Sequence, residues 1–103
     1  QAGSIQPAMK PVTIADGLCT ALGPLTFPVV RDLVDDVVLV SEADIAASMR
    51  FVWERMKITI EPSAAVGVAV ACSGWMHAME NADLKDVGVV LCGGNVDLAG
   101  LPF

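Results

Sequence analysis

Val87-Gly88-Val89-Val90-Leu91-Cys92-Gly93-Gly94-Asn95-Val96-Asp97-Leu98 decides how the rest of the chain is read. A β-branched run that stops at a small polar residue and two glycines predicts a buried strand delivering its C-terminal end to a ligand. Glycine has no Cβ, so its backbone can approach another group closely. In open α/β sheets, ligands bind outside the carboxyl ends of the strands. An ordinary turn carries the same Gly-Gly-Asn pattern, so the remaining sequence must choose between the two.

Outward from that stretch, Val37-Val38-Leu39-Val40 is a second run of the buried-strand type. Ser41 opens the clearest helix, and with Asp44 it resembles a capping box in which Asp is a shorter stand-in for Glu or Gln. Ile45, Met49, Val52 and Met56 follow at spacings of four, three and four, which predicts one buried face. A methionine stripe of this kind reads as core packing. Arg50 and Glu54 stand at i,i+4 on another face. Pro62 ends this helix. It also suits the first turn of the next, which is expected to run to about Met79. Ala64, Ala65, Gly67, Ala69, Ala71 and Gly74 make that second helix thin enough for close packing. Earlier in the chain, Gly23-Pro24 is a break, and Pro28 fits the first turn of a short helix through Val34. Residues Gln1 to Pro11 read as a loop, Thr13 to Leu18 as a short turn or a loop lining a site, and Asn81 to Asp86 as a polar connection. Strand, two helices, strand predicts an α/β fold with a parallel or mixed sheet.

A chain of 103 residues holds at most one small domain. This one is 54% hydrophobic and 17% charged, has no Tyr, and has a mean hydropathy of +0.62. A small domain needs more polar surface than that. The expectation is a piece of a larger α/β enzyme, or a subunit whose apolar surface is covered by other protein. Gln1 in place of Met fits a chain whose beginning is missing. A net charge of −6 argues against nucleic acid and anionic membrane as partners. Cys19, Cys72, Cys92 and the single His77 lack metal-ligand spacing and form no disulfide framework. They fit a reducing, cytoplasmic setting, and no role is assigned to His77. Ser63 to Met79 lack any acid, Lys or Arg, yet fall short of a transmembrane span and read as a buried helix. The N-terminal stretch lacks the apolar core of a signal peptide.

Five short motifs then occur in order: Thr13-Ile14-Ala15-Asp16-Gly17, Arg31 to Asp36, Trp53-Glu54-Arg55-Met56-Lys57, Glu61-Pro62-Ser63 and Gly93-Gly94-Asn95-Val96-Asp97-Leu98. Together they resemble the C-terminal third of serine racemase and the related serine/threonine dehydratases. The resemblance spans about Thr13 to Leu98. It implies an α/β fold of the tryptophan synthase β-like type, fold type II of the pyridoxal phosphate enzymes. Residues 1–103 would then be the C-terminal part of the cofactor-binding large domain.

The resemblance also implies roles. Cys92 matches the position facing the pyridine nitrogen, where racemases usually carry Ser and dehydratases Cys. Its alternative reading is a small buried residue at a strand end. Glu61 and Gly93 match cofactor-binding positions, and Glu61 equally suits a helix N-terminus. Asp16 and Gly17 match a loop bordering the substrate pocket, with Asp16 alternatively capping a short helix. Arg55, Lys57 and Asn95 match positions near a nucleotide effector site, while a solvated helix face explains Arg55 and Lys57 equally well.

The lysine that anchors the cofactor in this family, in a Ser-Phe-Lys type motif, has no match here, and neither do the Ser-Ser-Gly-Asn-His and glycine-rich loops. No catalytic residue and no metal ligand is therefore expected within the segment. The implied activity is that of a larger enzyme on L-serine, L-threonine or 3-hydroxyaspartate. Loss of the Cα proton and the β-hydroxyl leads to keto acid and ammonia, and reprotonation on the opposite face gives the D-amino acid. The resemblance allows Mg2+ or Ca2+ with ligands outside this chain, ATP as an effector, and a homodimer. The alternative is a non-catalytic interaction module or an isolated fragment derived from the same fold.

Overall fold

A computed structural model of the chain describes residues 3–7, 10–79, 85–94 and 96–103. A one-turn 3-10 helix, Asp16–Leu18, is closed by the Leu18 and Cys19 amides donating to the carbonyls of Ala15 and Asp16. Helix α1, Thr26–Leu33, begins before Pro28, because the Thr26 hydroxyl accepts from the Gly23 amide at 3.1 Å and so organises the entry turn. None of its residues is buried.

Helix α2, Glu42–Phe51, starts where the capping pattern places it. Ser41 Oγ accepts from the Asp44 amide at 3.2 Å. The short Asp44 carboxylate accepts a hydrogen bond from the Ser41 hydroxyl at 2.5 Å, where a longer Glu would reach back to the N-cap amide. Arg50 and Glu54 form the expected i,i+4 ion pair at 2.7 Å. Ile45, Met49 and Val52 are buried. Met56 departs from the stripe and is 49% exposed. The cause is local: residues Val52–Met56 form a π-helical turn, whose i→i+5 pattern holds more residues than an α turn and rotates Met56 off the shared face. The turn ends at Lys57 in the left-handed conformation, φ 58°.

Helix α3, Pro62–Ala71, has proline in its first turn and buries Ala64, Ala65, Val68 and Ala69 against α2. The second helix of the sequence reading is in fact two. It stops at Ala71, and α4, Gly74–Ala78, follows. Ser73 makes the break, since both its hydroxyl and its amide donate to the Val70 carbonyl, at 2.7 and 3.0 Å.

Among the described residues there is no strand, contrary to the two expected over Val37–Val40 and Val87–Leu91. A strand exists only through ladder bonds to a neighbour, and neither run makes a backbone hydrogen bond to the other. Both flank a groove of about 460 Å³ that Val38, Gly67, Val70, Trp75 and Val89 help to line. Leu39 and Val90 are 94% and 82% exposed.

The core joins Ala15, Ile45, Met49, Val52, Ile60, Ala64, Ala65 and Val68, with Trp53, Val89 and Leu91 packed on its margin. Trp53 Nε1–H donates to the carbonyl of fully buried Ile60 at 3.0 Å. Val89 crosses α3 at Gly67, where a Cβ would stand 3.0 Å from the valine methyl. From there the chain runs back along α3 and delivers Cys92 to its first residues.

Candidate functional site

Three segments far apart in sequence meet where α3 begins. Glu61 precedes the helix in an extended conformation, ψ 163°, and its amide donates to the Cys92 carbonyl at 3.3 Å. Its carboxylate makes no capping bond to the helix. It turns instead toward Cys92 and Gly93. Cys92 Sγ lies 3.9 Å from Glu61 Oε1, a long and weak thiol contact. Gly93 has φ +84°, and a Cβ there would overlap the Cβ, Cγ and Cδ of Glu61. Glycine is required at this position by both conformation and space. Cys92 is exposed, so its thiol is open to a group from outside the segment.

The loop ahead of the 3-10 turn closes the other side. The Gly17 amide donates to Ser63 Oγ at 3.1 Å. A Cβ on Gly17 would come within 2.8 Å of that hydroxyl and 3.8 Å of Glu61 Oε1. Asp16 opens the turn, is exposed, and has no capping role, since Ala15 occupies the N-cap without a side-chain bond. Ala15 itself is fully buried and pins the loop to the helix pair. Upstream, the Ile14 amide donates to Glu42 Oε2 at 2.8 Å. That bond first, and a hydroxyl bond from Thr13 second, hold the Glu42 carboxyl below its ordinary range.

The structure therefore brings together Glu61, Cys92, Gly93 and Gly17, with Asp16 beside them. Arg55 and Lys57 are exposed on the π-helical turn and at its left-handed end. Asn95 lies outside the described residues. Among the described residues, no three His, Cys, Asp or Glu side chains gather as a metal-holding group, and no helix is long and apolar enough to cross a membrane. Sequence reading overlooked Ser63 and Glu42. Ser63 belongs to the Glu61-Pro62-Ser63 motif, but its partner lies 46 residues away and left no local signal.

Comparison with known proteins gives this geometry a setting. Residues 1–93 match the family model described as pyridoxal-phosphate dependent enzyme. The chain is 50% identical over 93 residues to a serine racemase of Bos taurus, covering 90% of this chain and 28% of that protein. Its structure is similar to that of maize serine racemase, with TM-score 0.87 and 43% identity over 95% of this chain and 31% of that one. It is also similar to a threonine deaminase of T.th., with TM-score 0.75 and 34% identity over 93% of this chain and 33% of that one. The chain thus spans roughly a third or less of the length of these relatives. The neighbours agree with the fold-type II architecture that the motifs imply.

Proposed function

The chain belongs to the family of pyridoxal-phosphate dependent enzymes, and on that premise we propose that it forms one wall of the active site of a serine racemase and/or serine/threonine dehydratase. One observation carries the reading: Cys92, Gly93 and Glu61 converge with Gly17 at the start of α3. The relatives' names weigh against the non-catalytic module.

The residues present fit the cofactor. Gly93 has no Cβ, and Glu61 occupies the space that one would need, which holds its carboxylate beside Cys92; the polar groups offered are one exposed thiol and one carboxylate. When bound, pyridoxal phosphate supplies the electron sink that lets the Cα–H bond of an amino acid break. Cys92 would offer its S–H to the ring nitrogen of the bound cofactor. A thiol is a weaker partner than a carboxylate and does not hold that nitrogen protonated. This suits chemistry in which a β-hydroxyl leaves soon after deprotonation. An ionised Glu61 carboxylate can only accept hydrogen bonds, and it would stand near the cofactor ring and its substituents. Asp16 and Gly17 border the pocket for L-serine, L-threonine or 3-hydroxyaspartate.

The remaining assignments follow the same reading. Residues 1–103 are the C-terminal part of the large domain, in which Val37–Val40 and Val87–Leu91 pair with strands from the rest of the protein. Their open groove and exposed flanks support that pairing. The anchoring lysine and the ligands for Mg2+ or Ca2+ belong to the remaining portion. Arg55, Lys57 and Asn95 serve ATP as an effector. The enzyme works as a homodimer in the cytoplasm, a setting that suits the free Cys19, Cys72 and Cys92.

Turnover by the full-length protein tests this. L-Serine is expected to yield D-serine, or pyruvate with ammonia, in a reaction that stops when pyridoxal phosphate is stripped and resumes when it is restored. An absence of all these products from serine, threonine and 3-hydroxyaspartate would refute it.

A further inference from the structure

We propose that Glu42 and Ser63 are positioning residues, which clamp the Asp16–Gly17 loop beside Glu61 from two sides. The proposal rests on the reading of Asp16 and Gly17 as substrate-pocket residues.

The loop of residues 13–18 needs partners for its amides. Ala15 donates to the Thr13 hydroxyl at 3.0 Å, and Leu18 donates to the Ala15 carbonyl at 2.9 Å. The Ile14 and Gly17 amides have no such local partner. Each is taken by a side chain from a different helix: Ile14 by Glu42 at 2.8 Å, Gly17 by Ser63 at 3.1 Å. Glu42 is the first residue of α2 and Ser63 the second of α3. Those helices are packed together through Ile45, Met49, Ala65 and Val68, with buried Ala15 in the same cluster. The two tethers therefore refer the loop to one rigid frame. Thr13 supports the first from within the loop, because its hydroxyl accepts from the Ala15 amide next to the tethered Ile14.

Gly17 completes the second. Its missing Cβ is what lets Ser63 Oγ reach the amide, since a methyl would stand 2.8 Å from that oxygen. The same placement brings Gly17 to the edge of Glu61, and Ser63 follows Glu61 by two positions. Loop and carboxylate thus share one mount. Loss of either tether frees one side of the pocket while Cys92, Gly93 and Glu61 keep their mutual contacts. Substrate affinity is expected to suffer before cofactor binding does.

The test compares Ser63→Ala, Ser63→Thr, Glu42→Ala and Glu42→Gln in the full-length protein, with two readouts. Amide exchange over residues 13–18 should quicken in both alanine variants and stay near wild type in Ser63→Thr, which keeps the hydroxyl. KM for L-serine should rise about five-fold in Ser63→Ala, as expected for one lost hydrogen bond, with kcat and the visible cofactor absorption little changed. Glu42→Gln keeps an acceptor oxygen and should fall between wild type and Glu42→Ala. Unchanged exchange in Ser63→Ala, or faster exchange with unchanged KM, overturns the clamp, as does a Ser63→Thr variant that behaves like alanine. A wild-type protein that never takes up pyridoxal phosphate overturns the parent reading instead, and the exchange data then decide the clamp alone.

Discussion

Gly93 and Glu61 share one volume: a Cβ on Gly93 would fall on the side-chain carbons of Glu61. The left-handed backbone of Gly93, φ +84°, and the extended backbone of Glu61 are what let the carboxylate lie there. An acid at a helix N-terminus is stabilised by facing the free amides there. Glu61 forgoes that arrangement and faces Cys92.

Gly93→Ala should therefore do more than strain the backbone. A non-glycine residue at left-handed φ costs about 1–2 kcal/mol, and here the added methyl also evicts Glu61. Turnover is expected to fall by more than about ten-fold, a barrier change of about 1.4 kcal/mol, with a lower melting temperature and weaker visible cofactor absorption. Steady-state kinetics and a thermal melt on the full-length protein check this.

Cys92 is expected to tolerate Ser and to resist Asp. Serine keeps a neutral hydrogen-bond donor, so Cys92→Ser should retain activity within about three-fold, a loss of under 1 kcal/mol. Cys92→Asp sets a second carboxylate beside Glu61, where like charges oppose each other. It should cut turnover sharply and shift the pH profile, which a kcat/KM series across pH will show.

Glu42 makes stability depend on pH in a definite direction. Hydrogen bonds from the Ile14 amide and the Thr13 hydroxyl hold its folded pKa below the ordinary 4.5. A carboxyl whose pKa falls on folding adds stability above its unfolded value and loses it as pH drops through the folded one. Wild type should melt above Glu42→Gln at pH 7. The difference should close as the pH falls below about 4.5, as paired melts at neutral and acid pH would reveal.

Trp53→Phe should destabilise the chain without emptying the site. The indole N–H is the partner of the Ile60 carbonyl, in a residue with no exposed surface. Phenylalanine keeps an aromatic ring near Phe103 but leaves that carbonyl unpaired, at a cost of about 1–3 kcal/mol. Urea denaturation measures the loss, and the visible cofactor absorption should persist in the folded variant.

Much of this architecture was legible because it is local. Ser41 and Asp44 mark a helix start by their own chemistry, and Ile45, Met49 and Val52 mark a buried face by spacing alone. Met56 defied the pattern because a π-helical turn changes the period, and no single residue announces that change. The break between α3 and α4 depends on Ser73 choosing the Val70 carbonyl, which composition does not reveal. Val37–Val40 and Val87–Leu91 have the composition of strands, but strand formation needs a neighbour that patterning does not contain. Among the site residues, Cys92, Gly93 and Glu61 stood out through their motifs. Glu42 and Ser63 did not, since their partners lie 28 and 46 residues away.

The most direct test of the central claim is the visible absorption spectrum of the full-length protein, recorded before and after L-serine is added. A lysine-bound cofactor band that shifts with serine, and that is perturbed in Cys92→Ala, is the expected result. A protein that stays colourless after incubation with pyridoxal phosphate, or whose band ignores serine and threonine alike, would contradict it.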